Sequence, residues 1–327
     1  MADITVLGTG GWGMALAISA KNAGHSVCMW SAFKEEIDNL KSTHSNERLL
    51  PGVVLPDDIV LSDDISVAQN SAVTIIAVPS IAVGSVSEML KSVPNHGITV
   101  NVAKGFEPKT GKRLSEVIGE NLPDDSVVIL SGPSHAEEVA LNIPTSLVAS
   151  SNSLVAADIV QDLLSTECLR IYTSDDVVGV ELGGALKNVI AICAGMCEGL
   201  GLGDNTKAAL ITRGLSEITR LGVRMGANER TFSGLAGIGD LVVTCTSKHS
   251  RNNRFGNLVG KGVDIQSALS QVGTVEGYYA AALVHRLAKK YNVELPLIDE
   301  CYRVLYKKRP VSSVVKNLML RPKKREY

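Results

Sequence analysis

A glycine-rich turn near the start of the chain is the first feature with recognisable chemistry. Gly8, Gly10 and Gly13 form a G-x-G-x-x-G motif that directly follows the apolar run Ile4–Leu7 and opens a helical pattern, Trp12–Ala23. In that context the first glycine permits a tight turn, the second lets the backbone approach a pyrophosphate, and the third lets helix and strand pack closely. Because the first N–H groups of a helix favour negative charge, we expect a dinucleotide to bind here.

The end of the second apolar run, Val27–Trp30, bears on which dinucleotide is bound. An acidic residue about 20 positions after the motif would bind a ribose 2′-hydroxyl and favour NAD. The residues that follow the run, Ser31-Ala32-Phe33-Lys34, place no acid at its tip and no arginine for a 2′-phosphate, so that Lys34 is the only nearby cation. The sequence therefore favours NADP, with NAD acceptable.

Two further motifs follow apolar runs and suit a small phosphorylated carbonyl compound. Lys104 comes just after the run Thr99–Ala103, and the stretch Ser131–Ala136 follows the next run, where it offers backbone N–H groups and the Ser134 hydroxyl. Doubly wound folds bind ligands at the carboxyl edge of the sheet, so we expect both motifs to face a ligand. Lys104 would polarise the carbonyl oxygen or hold the phosphate.

A third group of polar residues lies in the second half of the chain. Asp240 is followed by Ser250-Arg251-Asn252, which brings an acid, a hydroxyl, a guanidinium and an amide into thirteen positions. Arg251 can grip a phosphate with two parallel hydrogen bonds, and Ser250 and Asn252 can complete the clamp. Asp240 would orient a lysine or a substrate hydroxyl, and Glu276 would contact the cofactor.

Lys187 lies inside an apolar helical pattern, Glu181–Cys197, where a charged side chain is costly to bury. Small residues surround it on one face: Gly184, Ala191 and Ala194. One interpretation is that the amine reaches a polar rim. The other is that burial favours the neutral amine, which then exchanges a proton with a substrate oxygen. In that scheme a nicotinamide gives a hydride to a carbonyl carbon, Lys187 gives the proton, and nearby cations stabilise the developing alkoxide.

The elements that must position these residues fall into two halves. Apolar runs typical of strands buried on both faces alternate with helical patterns in the first half, and the second half is mainly helical. The sequence thus predicts an α/β fold, a Rossmann-like, doubly wound, mostly parallel sheet over residues 1–180, followed by an all-α substrate and catalytic domain over residues 181–327. The expected strands are Ile4–Leu7, Val27–Trp30, Val73–Val78, Thr99–Ala103, Val127–Leu130 and Thr145–Ala149, and the expected helices include Ile81–Lys91, Thr206–Met225, Ile265–Leu269, Tyr278–Lys290 and Pro296–Tyr306.

Composition excludes several classes of protein. The chain has 327 residues, a net charge of −2 and only 4% aromatic residues, which disfavours a nucleic-acid partner. The longest apolar stretch, Val177 to Leu202, contains charged residues that a membrane span should not carry. Cys193 and Cys197 are one helical turn apart, but two buried thiols are favoured over a metal pair, and we expect no metal site. With six cysteines, no CxxC pair and no basic signal segment, we expect a cytoplasmic protein.

These motifs together resemble the bacterial-type glycerol-3-phosphate dehydrogenase family over almost the whole chain. The matching residues include Gly8–Gly13, 103–105, 131–134, 182–189, 237–245, 250–252 and 275–277. The resemblance implies reduction of dihydroxyacetone phosphate to sn-glycerol 3-phosphate with NAD(P)H, which supplies phospholipid synthesis, and makes Lys187 the proton acceptor in the oxidative direction. It implies substrate contacts at Lys104, Gly132, Ser134, Lys187, Asp240, Ser250, Arg251 and Asn252. It implies cofactor contacts at Gly11, Trp12, Lys104, Ala136, Arg251, Val275 and Glu276, in addition to Gly8, Gly10 and Gly13 of the glycine motif.

Two other functions stay open at this point. One is another two-domain dehydrogenase of the β-hydroxyacid or 6-phosphogluconate type, which also uses a helical lysine; the phosphate clamp at 250–252 argues against it. The other is a non-catalytic dinucleotide-sensing module, which would need the glycine motif but not the lysine, aspartate and arginine. Because helical second domains often supply oligomer contacts, we also expect a homodimer.

Overall fold

Short apolar strands build the first of the two units into which the chain divides, residues 1–181 and 182–327. The computed structural model describes residues 3–323 and 325–326. The strands are β1 (Ile4–Leu7), β2 (Val27–Trp30), β3 (Ser45–Asn46), β4 (Leu50–Val54), β5 (Val60–Ser62), β6 (Val73–Ile76), β7 (Ile98–Asn101), β8 (Val127–Ser131), β9 (Thr145–Ser150) and β10 (Leu169–Ser174). The first unit also contains the helices α1 (Gly11–Asn22), α2 (Lys34–Thr43), α3 (Val83–Leu90), α4 (Leu114–Asn121), α5 (Ala136–Ala140) and α6 (Leu154–Leu164).

Eight of these strands form one sheet in the order β10-β9-β8-β7-β6-β1-β2-β5. Neighbouring strands run parallel except β8 and β9, which are antiparallel, and β3 and β4 form a separate hairpin. The chain order reverses between β1 and β6, and ligands of doubly wound folds bind outside the carboxyl ends of the strands at such a point. The predicted fold class, a Rossmann-like and mostly parallel sheet followed by a helical region, is confirmed.

Helices cover both faces of this sheet, which explains why its strands are continuously apolar. On one face, Met14 and Leu16 of α1 and Val160 of α6 join a large buried cluster. On the other face, Leu90 of α3 and Ile118 of α4 pack into a second cluster. A strand between two apolar layers has no face left for polar residues, so its sequence shows no alternation.

The second unit is built from helices. They are α7 (Val177–Gly199, which begins in the first unit), α8 (Asp204–Arg224), α9 (Asp240–Thr246), α10 (Arg251–Gly260), α11 (Ile265–Val272), α12 (Glu276–Lys290), α13 (Pro296–Lys307) and α14 (Val311–Met319). One turn of π-helix, Leu235–Gly239, directly precedes α9. By length and composition α7 could cross a membrane, but 94% of its most apolar window is buried inside the protein. It is a buried helix of this unit, and close contacts join it to α8, α10 and α12.

Backbone contacts bring other elements directly onto α7. A Cβ atom added at Gly183 would lie 2.2 Å from the carbonyl oxygen of Ala236, in the π-helical turn. A Cβ atom at Gly195 would lie 2.0 Å from the carbonyl oxygen of Asn253, in α10. Since real Cβ contacts are never that short, glycine is what allows the π turn and the start of α10 to reach α7. Asp240 follows the first of these contact points, and Ser250-Arg251-Asn252 directly precedes the second.

The expected elements differ from the observed ones mainly at their ends. The helix expected at Ile81–Lys91 is a short 3₁₀ turn, Ser80–Ala82, followed by α3. The strand expected at Thr145–Ala149 exists, but it is antiparallel to β8. An apolar run indicates a buried strand without giving its direction, so sequence could not settle this point. The sequence analysis did not predict the short strand β5, the six-residue strand β10 or the β3–β4 hairpin.

Candidate functional site

The glycine motif forms a tight turn between β1 and α1. Gly8 has a φ of +129°, and a Cβ atom there would lie 2.6 Å from the carbonyl oxygen of Ala77, just after β6. A Cβ atom at Gly13 would lie 2.3 Å from the carbonyl oxygen of Gly8. A Cβ atom at Gly10, by contrast, would meet nothing within 4 Å. Gly8 and Gly13 therefore close the turn, while Gly10 leaves open space beside the backbone.

The start of α1 is suited to an anion. Gly10 is the residue that precedes the helix and provides no side-chain cap, so the first N–H groups of α1 are left for another acceptor. A Cβ atom built on Gly11 would lie 2.6 Å from the carbonyl oxygen of Leu49 and 3.8 Å from the Cβ of Ala136. Trp12 and Ala136 pack against the large buried cluster below. The residues present fit the pyrophosphate of a dinucleotide, because uncapped N–H groups and an open glycine meet at one place.

Lys104 and Ser134 lie together at the carboxyl edge of the sheet. Lys104 follows β7, and its Nζ donates a hydrogen bond of 2.8 Å to the carbonyl oxygen of Gly132, which follows β8. The same amine is 3.4 Å from the Ser134 hydroxyl. Gly132 has a φ of +140°, a backbone conformation that L side chains rarely adopt. The structure thus brings together the three residues of this edge that the sequence indicated.

Lys187 is buried and ion-paired within the second unit. Its side chain does not reach a polar rim, since the residue is only 6% exposed. The amine donates to the Asp240 carboxylate and, over 2.7 Å, to the Thr244 hydroxyl. Thr244 in turn donates to the backbone carbonyl of Asp240, so its hydroxyl accepts from the lysine. Asp240 is 1% exposed, and its negative charge compensates the ammonium at a depth where an unpaired charge would be expensive.

The Lys187–Asp240 pair lies in buried surroundings that exclude most solvent. Burial raises the pKa of the neighbouring Cys245 thiol to about 12, so the thiol stays protonated. Burial likewise raises the pKa of Cys197, farther along α7. A proton donor in such surroundings acts in a medium of low dielectric constant, where charge–charge interactions are stronger than in water.

The three residues of the expected phosphate clamp have different environments. Ser250 precedes α10 and accepts a hydrogen bond from the Asn253 N–H, which makes it the cap of that helix. Asn252 donates to Asn188 in α7 over 2.9 Å and accepts from the Gly277 N–H over 2.9 Å. Arg251 is exposed at the first position of α10. Of the three residues, Arg251 is therefore the one whose side chain is exposed, while those of Ser250 and Asn252 hold α10 in place.

The two residues expected near the cofactor in the last third lie at the start of α12. Val275 precedes the helix and is 1% exposed, so only its backbone could contact a ligand. Glu276 is the first residue of the helix and is half-buried. Sequence reasoning attached a cofactor to this segment but did not foresee its link to α7 through Asn252.

Glu36 lies beside the glycine motif and is a candidate site residue that sequence reasoning missed. Its Oε2 accepts hydrogen bonds from the Thr9 hydroxyl at 2.6 Å and from the Ser31 hydroxyl at 2.7 Å. Thr9 belongs to the glycine motif and Ser31 directly follows β2, so an acid does stand beside the tip of that strand. The signal was available in the sequence, because Glu35 and Glu36 fall in the first turn of the helix after β2.

The fold and the site define a class: a Rossmann-like dinucleotide-binding unit followed by a helical unit that buries a lysine–aspartate pair. Family models give the more specific answer. The model described as NAD-dependent glycerol-3-phosphate dehydrogenase N-terminus matches residues 3–157, and the model of the C-terminus of the same family matches residues 176–316. The chain belongs to the NAD-dependent glycerol-3-phosphate dehydrogenase family.

Individual relatives agree with this assignment. A protein of Desulfitobacterium hafniense named glycerol-3-phosphate dehydrogenase, NAD(P)+, is 46% identical over 100% of this chain and 93% of its own length. One of Thermoanaerobacter sp. with the same name is 49% identical over 99% and 98%. Among solved structures, glycerol-3-phosphate dehydrogenase from Coxiella burnetii matches with a TM-score of 0.93 and 37% identity, covering 97% of this chain and 98% of that one.

Proposed function

We propose that this protein reduces dihydroxyacetone phosphate to sn-glycerol 3-phosphate with NAD(P)H and so supplies glycerophospholipid synthesis. The observation that carries the proposal is the buried pair of Lys187 and Asp240, on a chain whose full-length relatives are named for this reaction. A protein that only sensed dinucleotides would need the glycine turn, but it would have no reason to bury a proton donor at such cost.

We assign the two roles to the two parts of the chain as the sequence suggested. Residues 1–180 would bind the cofactor and residues 181–327 would form the substrate and catalytic domain. The cofactor would be held by the backbone of residues 8–13, with Ala136 and Lys104 beside it, and by Arg251, Glu276 and the backbone of Val275. When bound, the nicotinamide supplies a hydride to the substrate carbonyl carbon.

Lys187 would handle the proton. As the carbonyl carbon is reduced, its oxygen takes on negative charge, and an ammonium group stabilises that charge and then protonates the oxygen. Asp240 and Thr244 each accept a hydrogen bond from the amine, which fixes its position. In the oxidative direction the same amine, once neutral, would accept the proton of the substrate hydroxyl.

The phosphate and the carbonyl group of the substrate need separate contacts. Arg251 would bind the phosphate, because it is exposed at the N-terminus of α10, where negative charge is favoured. The side chains of Ser250 and Asn252 already hold α10, so these two residues would act by positioning Arg251. Lys104, Gly132 and Ser134 form the remaining group of proposed substrate contacts.

An initial-rate assay tests this function. Purified protein is given dihydroxyacetone phosphate with NADH or NADPH in parallel, and consumption of reduced cofactor is compared with formation of sn-glycerol 3-phosphate. A 3-hydroxy acid and 6-phosphogluconate, each with the oxidised cofactors, serve as the rival substrates. Turnover of the triose phosphate is expected; turnover of a carboxylate substrate instead would reject the proposal in favour of the β-hydroxyacid class.

We further propose that the protein is cytoplasmic and forms a homodimer. All six cysteines are free thiols, as expected in a reducing compartment. Met319 and Leu320 expose large apolar side chains on the second unit, and a second copy could cover them. Light scattering coupled to size exclusion measures the mass of the particle: a mass near twice 34.6 kDa is expected, and a mass of 34.6 kDa would reject the dimer.

A further inference from the structure

Glu36 occupies a place that matters for the choice between the two nicotinamide cofactors. One of its carboxylate oxygens, Oε2, is held by the Thr9 and Ser31 hydroxyls. Both hydroxyl residues are buried, at 4% exposure each, whereas Glu36 itself is exposed. Two buried hydroxyl donors therefore fix the Glu36 carboxylate on the protein side, while the residue remains exposed to solvent. Within the part of the chain that the structure describes, the other oxygen, Oε1, has no hydrogen-bond partner.

The position of the Glu36 carboxylate beside the glycine motif suits contact with the adenosine ribose of a dinucleotide. In Rossmann-like folds the adenosine ribose lies between the glycine turn and the tip of the second strand, where an acid that hydrogen-bonds the 2′-hydroxyl selects NAD. Here Thr9 belongs to the glycine turn and Ser31 to the tip of β2, and Glu36 is bonded to both. Resting on the proposed function, we infer that Glu36 binds the ribose hydroxyls of NAD(H) and disfavours the 2′-phosphate of NADP(H).

Charge explains the direction of the effect. A 2′-phosphate would carry negative charge into the neighbourhood of a fixed carboxylate, and like charges at a few ångströms repel. The exposed residues 32–36 contain one cation, Lys34, and two acids, Glu35 and Glu36, so their net charge of −1 does not offset the repulsion. An unmodified 2′-hydroxyl, by contrast, can donate a hydrogen bond to the open oxygen, and a bond to a charged acceptor is among the stronger ones. This inference and the NADP preference indicated by the sequence predict opposite results in one measurement.

That measurement is the dissociation constant of each reduced cofactor, obtained by calorimetric titration of the full chain without substrate. The wild type should bind NADH at least about tenfold more tightly than NADPH, a difference that corresponds to ~1.4 kcal/mol. Glu36→Gln keeps the shape and one acceptor oxygen but removes the charge, so the preference should fall about tenfold, mainly through tighter binding of NADPH. Glu35→Gln is the matched control, since it removes the neighbouring exposed acid of the same helical turn and should leave the ratio unchanged.

The outcomes separate this inference from the function on which it rests. If the wild type binds NADPH as tightly as NADH, or if Glu36→Gln leaves the ratio where it was, the role of Glu36 is wrong while the dehydrogenase assignment stands. If neither cofactor binds, the proposed function itself fails. Raising the salt concentration gives a further check, because screening should weaken the discrimination in the wild type and have little effect in Glu36→Gln.

Discussion

Removal of the Lys187 amine tests the proposed chemistry most directly, but the structure shows that the simplest variant is a poor one. Lys187→Ala or Lys187→Met would leave the Asp240 carboxylate at 1% exposure without its counter-charge. Breaking a buried ion pair in this way costs roughly 3–5 kcal/mol. Since total stabilities are typically about 5–15 kcal/mol, loss of activity in the single variant could reflect loss of the fold.

A double variant, Lys187→Met with Asp240→Asn, removes both charges and keeps the side-chain volumes. Neither replacement carries a charge, so no buried charge is left without a counter-charge, and the Thr244 hydroxyl keeps its hydrogen bond to the backbone carbonyl of residue 240. We expect this protein to fold. We also expect it to bind NADH with the dissociation constant of the wild type, because the glycine turn at residues 8–13 is unchanged.

The turnover number of the double variant should fall by at least about 1,000-fold. General acid catalysis is worth roughly 10²–10⁴ in rate, and electrostatic stabilisation of a developing oxyanion is worth roughly 10²–10³. Both effects come from the same ammonium group and overlap. The product of the two rate factors is therefore an upper limit on the loss of turnover. Lys187→Arg separates them, because arginine keeps the positive charge but does not release its proton, and should retain part of the electrostatic contribution.

The assay is single-turnover oxidation of NADH under saturating dihydroxyacetone phosphate, followed by its absorbance, together with calorimetric titration of NADH. If the double variant folds, binds NADH and keeps more than a tenth of the wild-type turnover, the proton does not come from Lys187. That result would leave the family assignment intact and would move the acid to another residue.

Three further perturbations have outcomes fixed by the structure. Arg251→Ala should raise the KM for dihydroxyacetone phosphate about 10–100-fold, the loss expected for a hydrogen bond to a charged group, while Arg254→Ala, an exposed arginine on the same helix, should not; equal effects in a steady-state assay would place the phosphate elsewhere. Burial raises the pKa of Glu217 from 4.5 to about 7. The free energy of unfolding therefore contains the full contribution of this raised pKa below pH 4.5, and loses it as the pH rises to 7. The loss amounts to up to ~3 kcal/mol. Urea unfolding at pH 5 and pH 8 should show that loss in the wild type and a smaller one in Glu217→Gln; an identical pH dependence would contradict the assignment. Gly183→Ala would place a Cβ atom 2.2 Å from the Ala236 carbonyl oxygen, so the π turn must move off α7 and turnover should fall more than NADH affinity; unchanged turnover would show that this backbone contact does not position the site.

The fold could be predicted from the sequence to the extent that local patterns determine it. The runs at β1 and β2 were placed to the residue because both faces of each strand are buried and the turn residues that bound them are unambiguous. The direction of β9 could not be predicted, since an apolar run looks the same in both directions. Short edge strands such as β5 contain too few residues for their hydrophobic pattern to be recognised in the sequence.

The site was predictable where strands or helix periodicity bring residues together. Lys104 and Ser134 follow neighbouring strands, and parallel strands end at one edge, so their proximity follows from the fold class alone. The partners of Lys187 could not be predicted in this way, because Asp240 lies 53 positions farther along the chain. The π turn before Asp240 packs closely against α7 at Gly183, and that contact brings the carboxylate near the amine. The role of Thr244 could have been read from its spacing, since it lies one turn after Asp240 on the same helix face.

The Ser250-Arg251-Asn252 string shows that neighbouring residues of one motif can have different structural tasks. A helix that presents an arginine at its first position needs a cap and a fixed orientation, and here Ser250 supplies the cap. Asn252 supplies the orientation by joining α10 to α7 and α12 at once, through Asn188 and Gly277. Three polar residues in a row can therefore serve one ligand contact, with two of them holding the third. The loss of Asn252 should therefore weaken phosphate binding only as far as it moves Arg251, the residue that we propose as the phosphate contact.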